Sequence, residues 1–297
     1  MKKSQLEQEI AVKDAKILEL QNQIDELKKR ASERESFYSD IQKIRAEHHF
    51  AEQIQRSMLP QDFDSIKGKY NVDLFADMDT AWEIGGDYYD FFSIDDHRFF
   101  FAVGDISGKS VSAALFSMVV KAVIKMAILN GDKLADVAYN TSKQLYQTQS
   151  GEHRMFVTLW MGILDVNNGL LSFINAGHEP PLVWNRGDKP HFCEKLSGLP
   201  LSSYFNAKKP EKSEYTEHSI ALNHNEAILL YTDGVSESSN KNGQLFGHEK
   251  IAELTEQFVS EEGSAKEWIN YLQRHIISYA NHAGRDDDIT FLAVKRL

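Results

Sequence analysis

From the N-terminus to about residue 59 the apolar residues recur on a helical period, and from Asn71 onward the period shortens to that of strands. No Gly or Pro occurs before Pro60, and Glu, Lys, Gln, Leu and Ala dominate, so intrinsic propensity favours one long helix. Leu6, Ile10, Ile17, Leu20, Ile24 and Leu27 follow alternating spacings of four and three, with Lys13 interrupting one core position. This is the a/d seam of a short coiled coil, in which a polar core residue costs stability and can fix register. Tyr38, Ile41 and Ile44 are each three apart, which overwinds such a coil and sets a discontinuity after it. Phe50, Ala51, Ile54, Met58 and Leu59 form a second apolar stripe ending at Pro60. The pattern predicts a coiled-coil dimerisation segment over 1–45, a linker or switch helix over 46–62, and a catalytic-sized domain over 63–297.

Within that domain Val72, Leu74, Ala76 and Met78 alternate with polar residues as a half-buried strand does. Residues 88–94 and 98–103 are apolar and aromatic runs separated by Asp95-Asp96-His97, which predicts a hairpin. An apolar helix over 111–129 and an amphipathic one over 132–149 follow. Further strands are expected at Met155–Leu164, Leu170–Asn175, Leu182–Trp184, Glu214–Leu222 and Ala227–Tyr231, bounded by Gly, Asn, Asp or Pro. Helices over 247–259 and 264–282 precede a final strand at 288–295. Runs of strands with helices grouped in pairs predict an α+β fold of two sheets with helices outside.

Composition narrows the partners. The chain has 297 residues, with 33 basic against 44 acidic giving a net charge of −11. That balance argues against nucleic acid or an anionic membrane surface as the main partner. The single Cys193 excludes an intramolecular disulfide framework or a cysteine-based zinc cluster and fits a reducing compartment. No apolar run approaches the roughly 20 residues of a membrane span, and the N-terminus lacks the apolar core of a signal peptide, so a cytoplasmic protein without membrane insertion is expected.

The candidate chemistry lies in carboxylates placed at strand ends: Asp87 in Gly85-Gly86-Asp87, Asp105 after Gly104, Asp233 in Thr232-Asp233-Gly234, and the run Asp286-Asp287-Asp288. Strands of shared sheets bring such groups together, and a hard divalent cation makes their proximity tolerable. Taken singly each has an ordinary alternative: Asp233 before Gly234 also suits a β-turn, Asp90 suits either a supporting contact or solvent, and His178 beside a Pro pair suits packing. Counting back from Ile289-Thr290 favours Asp287 over Asp286, and alternation turns Asp288 to the other face. Gly104 to Ser110 imitates a phosphate-cradling loop, but three residues rather than four separate its glycines. Gly85-Gly86-Asp87 invites comparison with nucleotide cyclases, yet Tyr88-Tyr89 stand where that motif needs acidic residues.

Six motifs occur in order: Ala51 to Pro60, Gly85 to Asp90, Val103 to Lys109 with Ala113-Ala114, Asn175 to Pro181, Leu230 to Val235, and Asp287 to Thr290. Together they resemble the PPM (type 2C) metal-dependent protein serine/threonine phosphatases, in the SpoIIE/RsbU-like bacterial branch. The resemblance implies an αββα sandwich of two antiparallel sheets with two Mn²⁺ or Mg²⁺ ions at one edge. It further implies that Asp105 bridges the ions, the Ile106 carbonyl ligates one, Asp233 and Asp287 ligate the other, and Asp87 holds a metal or its water. Ser110 departs from the glycine common in that branch, and a phosphate-binding Arg has no counterpart. The implied activity is hydrolysis of phosphoserine or phosphothreonine on a signalling protein, in this branch typically a STAS-domain anti-sigma-factor antagonist. A homodimer through the coil and an upstream regulatory protein are the expected partners. The competing expectation is a catalytically silent adaptor, against which the retention of every acidic position argues.

Overall fold

The computed structural model describes residues 2–108, 111–149, 154–193, 198–202, 211–259, 263–280 and 286–297. Two compact units divide the chain, Met1–Phe50 and Ala51–Leu297. The smaller is wholly helix, and helix α1 runs unbroken over Lys2–Met58, as expected from the absence of helix breakers. Its apolar residues Ile10, Ile17, Leu20, Ile24 and Leu27 are exposed along the single chain.

The described residues of the larger unit hold ten strands. The first sheet has the order β1 (Val72–Asp79), β10 (Ile289–Arg296), β9 (Ala227–Tyr231), β6 (Leu182–Trp184) and β7 (His191–Phe192). The second has the order β2 (Tyr88–Ser93), β3 (Arg98–Ile106), β4 (Val157–Asp165), β5 (Leu170–Ala176) and β8 (His218–Ala221). Every pairing is antiparallel. Helices α3 (Val111–Leu129) and α4 (Leu134–Thr148) pack on the second sheet, and α7 (Ala265–Ala280), with α6 (His248–Val259) against it, packs on the first. The layers are therefore αββα, the expected architecture.

Period-two geometry explains the continuous apolar runs. In β9, Ile228 and Leu230 face the core between the sheets, while Leu229 and Tyr231 face the core under α6 and α7. In β10, Leu292 and Val294 take the first side, and Phe291 and Ala293 the second. A strand covered on both faces has no reason to alternate with polar residues. In the second sheet Trp160 is fully buried, stacked on Phe173 at 5.3 Å and tilted against Phe101 at 5.4 Å.

Four elements depart from expectation, one being the two-residue strand β7, which the residue pattern did not mark. A short helix α2 (Phe63–Tyr70) precedes β1, begun by the Asp62 carboxylate accepting from the Ser65 amide and ended by Asn71 in the left-handed region. The strand expected over Glu214–Leu222 shortens to His218–Ala221, because Lys212–Glu214 forms a 3₁₀ turn and the Tyr215 hydroxyl donates to Ser142 on α4. A four-residue helix α5 (Asp233–Ser236) follows β9 directly. Contrary to expectation, α3 is long and apolar enough to cross a membrane by length and composition. Its Ala113, Ser117, Val120, Ile124 and Ile128 face is buried in the domain. The loop at Lys109 and Ser110 and the end of the helix expected to 282 lie outside the described residues.

Trp160→Ala removes the largest fully buried side chain of the second sheet and is expected to lower unfolding stability by about 3–5 kcal/mol, read by urea denaturation.

Candidate metal centre

The expected carboxylates come from the adjoining ends of both sheets. Asp87 immediately precedes β2, Asp105 lies in the last turn of pleat of β3, Asp233 opens α5 after β9, and Asp287 and Asp288 lead into β10. Gly86 makes the convergence possible: a Cβ there would lie 2.8 Å from the Ile106 carbonyl oxygen and 3.6 Å from Asp105 Oδ1. Only glycine permits that approach of one backbone to another.

Asp87 is buried, and its Oδ2 accepts hydrogen bonds from Thr232 Oγ1 at 2.8 Å and Thr290 Oγ1 at 2.6 Å. Thr232 Oγ1 in turn accepts from the Thr290 amide at 3.1 Å, so two strands of the first sheet hold the carboxylate. Asp288 uses both oxygens on backbone amides, Oδ1 on Ala81 at 2.8 Å and Oδ2 on Gly86 at 2.8 Å and Asp87 at 3.4 Å. It ties down the loop before β2. Asp287 Oδ1 accepts from the Asp288 amide at 3.0 Å.

Burial, then the charges of Asp105 and Asp288, hold Asp87 well above the usual carboxylate range. Burial, followed by Asp233, Asp287 and Asp288, pushes Asp105 up to about 8. Burial and then Asp287 push Asp233 to about 6. These are the shifts of carboxylates crowded together away from water. The donors are all hard oxygens, four carboxylates and the Ile106 carbonyl, which is the chemistry that suits Mg²⁺ or Mn²⁺. Among the described residues, no three Asp, Glu, His or Cys side chains converge on one ligating point. A groove of about 380 Å³ lined by Gly234, Glu237, Ser239, Asp286 and Asp287 opens beside them.

The remaining candidates take other places. His178 is buried, with Nδ1 sharing a hydrogen bond with Thr158 Oγ1 at 2.9 Å, and burial pushes its imidazole down to about 4. Thr158 lies directly across from Asp105 in the β3–β4 ladder, so His178 supports the strand from behind. Asp90 is buried and pairs with Lys121 at 3.3 Å rather than facing solvent. Burial pushes the Cys193 thiol up to about 11, which leaves it unreactive. Sequence reasoning did not single out Thr232, Thr290 or the anchoring by Asp288. Hydroxyls adjacent to acidic residues at two strand ends were the available signal.

Two antiparallel sheets between helix layers, with carboxylates gathered at their common edge, define the PP2C class of domain. The solved SiaA-PP2C domain of Pseudomonas aeruginosa has this fold, with a TM-score of 0.73 at 19% identity, covering 86% of this chain and 98% of that one. The family description of stage II sporulation protein E (SpoIIE) matches residues 95–297, well over half of the chain, and the chain belongs to that family. Protein IcfG of Synechocystis sp. is 29% identical over 82% of this chain, which spans 40% of IcfG's length. Phosphoserine phosphatase RsbU of Bacillus subtilis is 23% identical, with 86% of this chain and 71% of RsbU covered.

The raised carboxylates set a pH dependence for the metal-free domain. Between the ordinary value of 3.8 and about 8, native Asp105 keeps a proton that the unfolded chain has released, and Asp233 does so up to about 6. An acid with a raised native pKa costs stability as pH rises through that window. The melting temperature in EDTA is therefore expected to fall between pH 5 and pH 8, and the stabilisation by added Mn²⁺ to grow over the same range, as followed by calorimetry.

Proposed function

We propose that the chain is a metal-dependent phosphoprotein phosphatase acting on phosphoserine or phosphothreonine. The observation that carries this is the buried carboxylate cluster at the shared sheet edge of a SpoIIE-family domain, whose crowding a bound cation would relieve at neutral pH. The name of RsbU, a phosphoserine phosphatase, supports the same reading.

In this reading Asp105, shared between the ions, together with the Ile106 carbonyl, Asp233 and Asp287, would hold two Mn²⁺ or Mg²⁺ ions. Such ions supply a water activated at neutral pH and a clamp on the phosphoryl oxygens. The chain's own groups do the rest. Asp87, fixed by Thr232 and Thr290, holds its carboxylate at the mouth of the β2–β3 hairpin. Asp288 fixes the Gly86 amide in the loop that has no room for a side chain beside the Ile106 carbonyl. The groove beside Asp287 is open to a protein side chain.

Residues 1–45 dimerise the protein through the coiled coil, and 46–62 carry a signal from an upstream regulatory protein to the domain over 63–297. The substrate is a phosphorylated cytoplasmic signalling protein, with a STAS-domain anti-sigma-factor antagonist as the first to test. The heptad spacing of exposed Ile10, Ile17, Leu20, Ile24 and Leu27 supports the dimer.

Hydrolysis of p-nitrophenyl phosphate and of a phosphoserine protein is expected with Mn²⁺ or Mg²⁺ and not with EDTA. Asp233→Asn is expected to lower kcat by about 100-fold or more at unchanged fold, since several kcal/mol of charge stabilisation rest on the ions. Absence of turnover with every metal, in a folded dimer, would leave a binding-only adaptor. Removal of residues 1–45 is expected to give a monomer by light scattering, with altered turnover.

A further inference from the structure

The last turns of α1, from Ala51 to Met58, belong to the larger unit, and they carry a buried polar residue that no ligand role explains. Gln55 is 3% exposed. Its Nε2 donates to the Gly85 carbonyl at 2.8 Å, and its Oε1 accepts from the Gly85 amide at 3.3 Å. One side-chain amide thus satisfies both backbone groups of one residue, as a neighbouring strand would. Gly85 lies before β2 begins at Tyr88, so no ladder is present to do it. A buried amide and carbonyl left without partners would be costly, which makes this pairing specific.

Gly85 is also pinned from the opposite side. A Cβ on it would lie 2.3 Å from Asp288 Oδ2, the oxygen that accepts from the Gly86 amide. The segment 85–87 is therefore held between α1 and the start of β10. Gly86 leaves no room for a side chain beside the Ile106 carbonyl, and Asp87 belongs to the carboxylate cluster. A second clasp holds the same turn of α1: Lys121 Nζ donates to the Met58 carbonyl while pairing with Asp90 Oδ1 at 3.3 Å. The two clasps grip α1 at positions flanking its final turn and reach residues on both sides of Asp87.

We propose that Gln55 is a positioning residue for the metal centre: through Gly85 it sets the backbone that places Asp87 and seats Gly86 against the Ile106 carbonyl. This rests on the reading of the carboxylates as metal ligands. Loss of the Gln55 contacts loosens the 85–87 backbone and weakens metal binding, so the cluster's affinity depends on where the end of α1 sits. The defect lies in the metal dependence of turnover, not in substrate affinity.

The test is Mn²⁺ binding to the full chain, followed by loss of the free-ion signal in electron paramagnetic resonance. Gln55→Leu removes both hydrogen bonds at similar volume, and Gln55→Asn keeps the amide but falls one methylene short. Both are expected to bind Mn²⁺ about 10-fold more weakly, the effect typical of residues that orient metal ligands. Turnover is expected to return as Mn²⁺ is raised, with substrate KM unchanged. Wild-type Mn²⁺ affinity in folded variants would overturn the inference. So would variants that are both unfolded in EDTA, since Gln55 would then hold the fold as a whole. Failure of the wild type itself to bind Mn²⁺ would instead overturn the metal-centre reading on which this depends.

Discussion

Mutual repulsion among buried carboxylates is the constraint around which this domain is organised. Asp87, Asp105 and Asp233 are all lifted by burial first and by each other or their acidic neighbours second. Left alone, such a cluster pushes its strand ends apart. The fold opposes that with neutral donors: two threonine hydroxyls on Asp87 and three backbone amides on Asp288. Hydrogen bonds to an ionised carboxylate favour its charged form, so the same contacts offset part of the cost of burial. The glycine pair then removes the side chains that would keep the loops apart.

The rigidity behind this edge comes from the first sheet, which is sandwiched between two cores. Its β9 and β10 send alternate residues into the inter-sheet core and into the core under α6 and α7. Thr232 and Thr290 sit just beyond the end of the β9–β10 ladder, joined there by the Thr232 amide donating to the Thr290 carbonyl at 3.1 Å. The second sheet contributes Asp105 on β3, backed by Thr158 and His178. A neutral, buried imidazole adds no charge to an edge that already holds too much of one sign.

Much of this was legible in the residue pattern. Helix α1, the β2–β3 hairpin, α3 and the apolar strands announced themselves through period and through Gly, Asn and Asp at their ends, because burial of one or two faces leaves a direct imprint on sequence. Asp87, Asp105, Asp233 and Asp287 stood out as charges where an apolar residue was due. Helix α2 was missed although Asp62 and Asn71 mark its two ends, since eight residues with two buried side chains give little periodicity. The truncated β8 reflects a tertiary contact, Tyr215 to Ser142, across 73 residues, which no local pattern contains. The same holds for Gln55 and Gly85, and for the roles of Thr232, Thr290 and Asp288: each is defined by a partner far away in the chain.

Strand order gives the domain a temporal asymmetry during synthesis. The second sheet is built from β2, β3, β4, β5 and β8, which pair largely with neighbours in sequence and can form as the chain emerges. The first sheet cannot, because β1 and β9 meet only through β10, the last of the described strands in chain order. Until then the apolar faces of β1 and β9 lack their central partner and are exposed to misassociation. The Asp287 and Asp288 positions arrive with that same strand, so closure of the sheet and completion of the acidic cluster are a single late event. A chain cut short before β10 would lack both the strand that joins β1 to β9 and two of the clustered carboxylates.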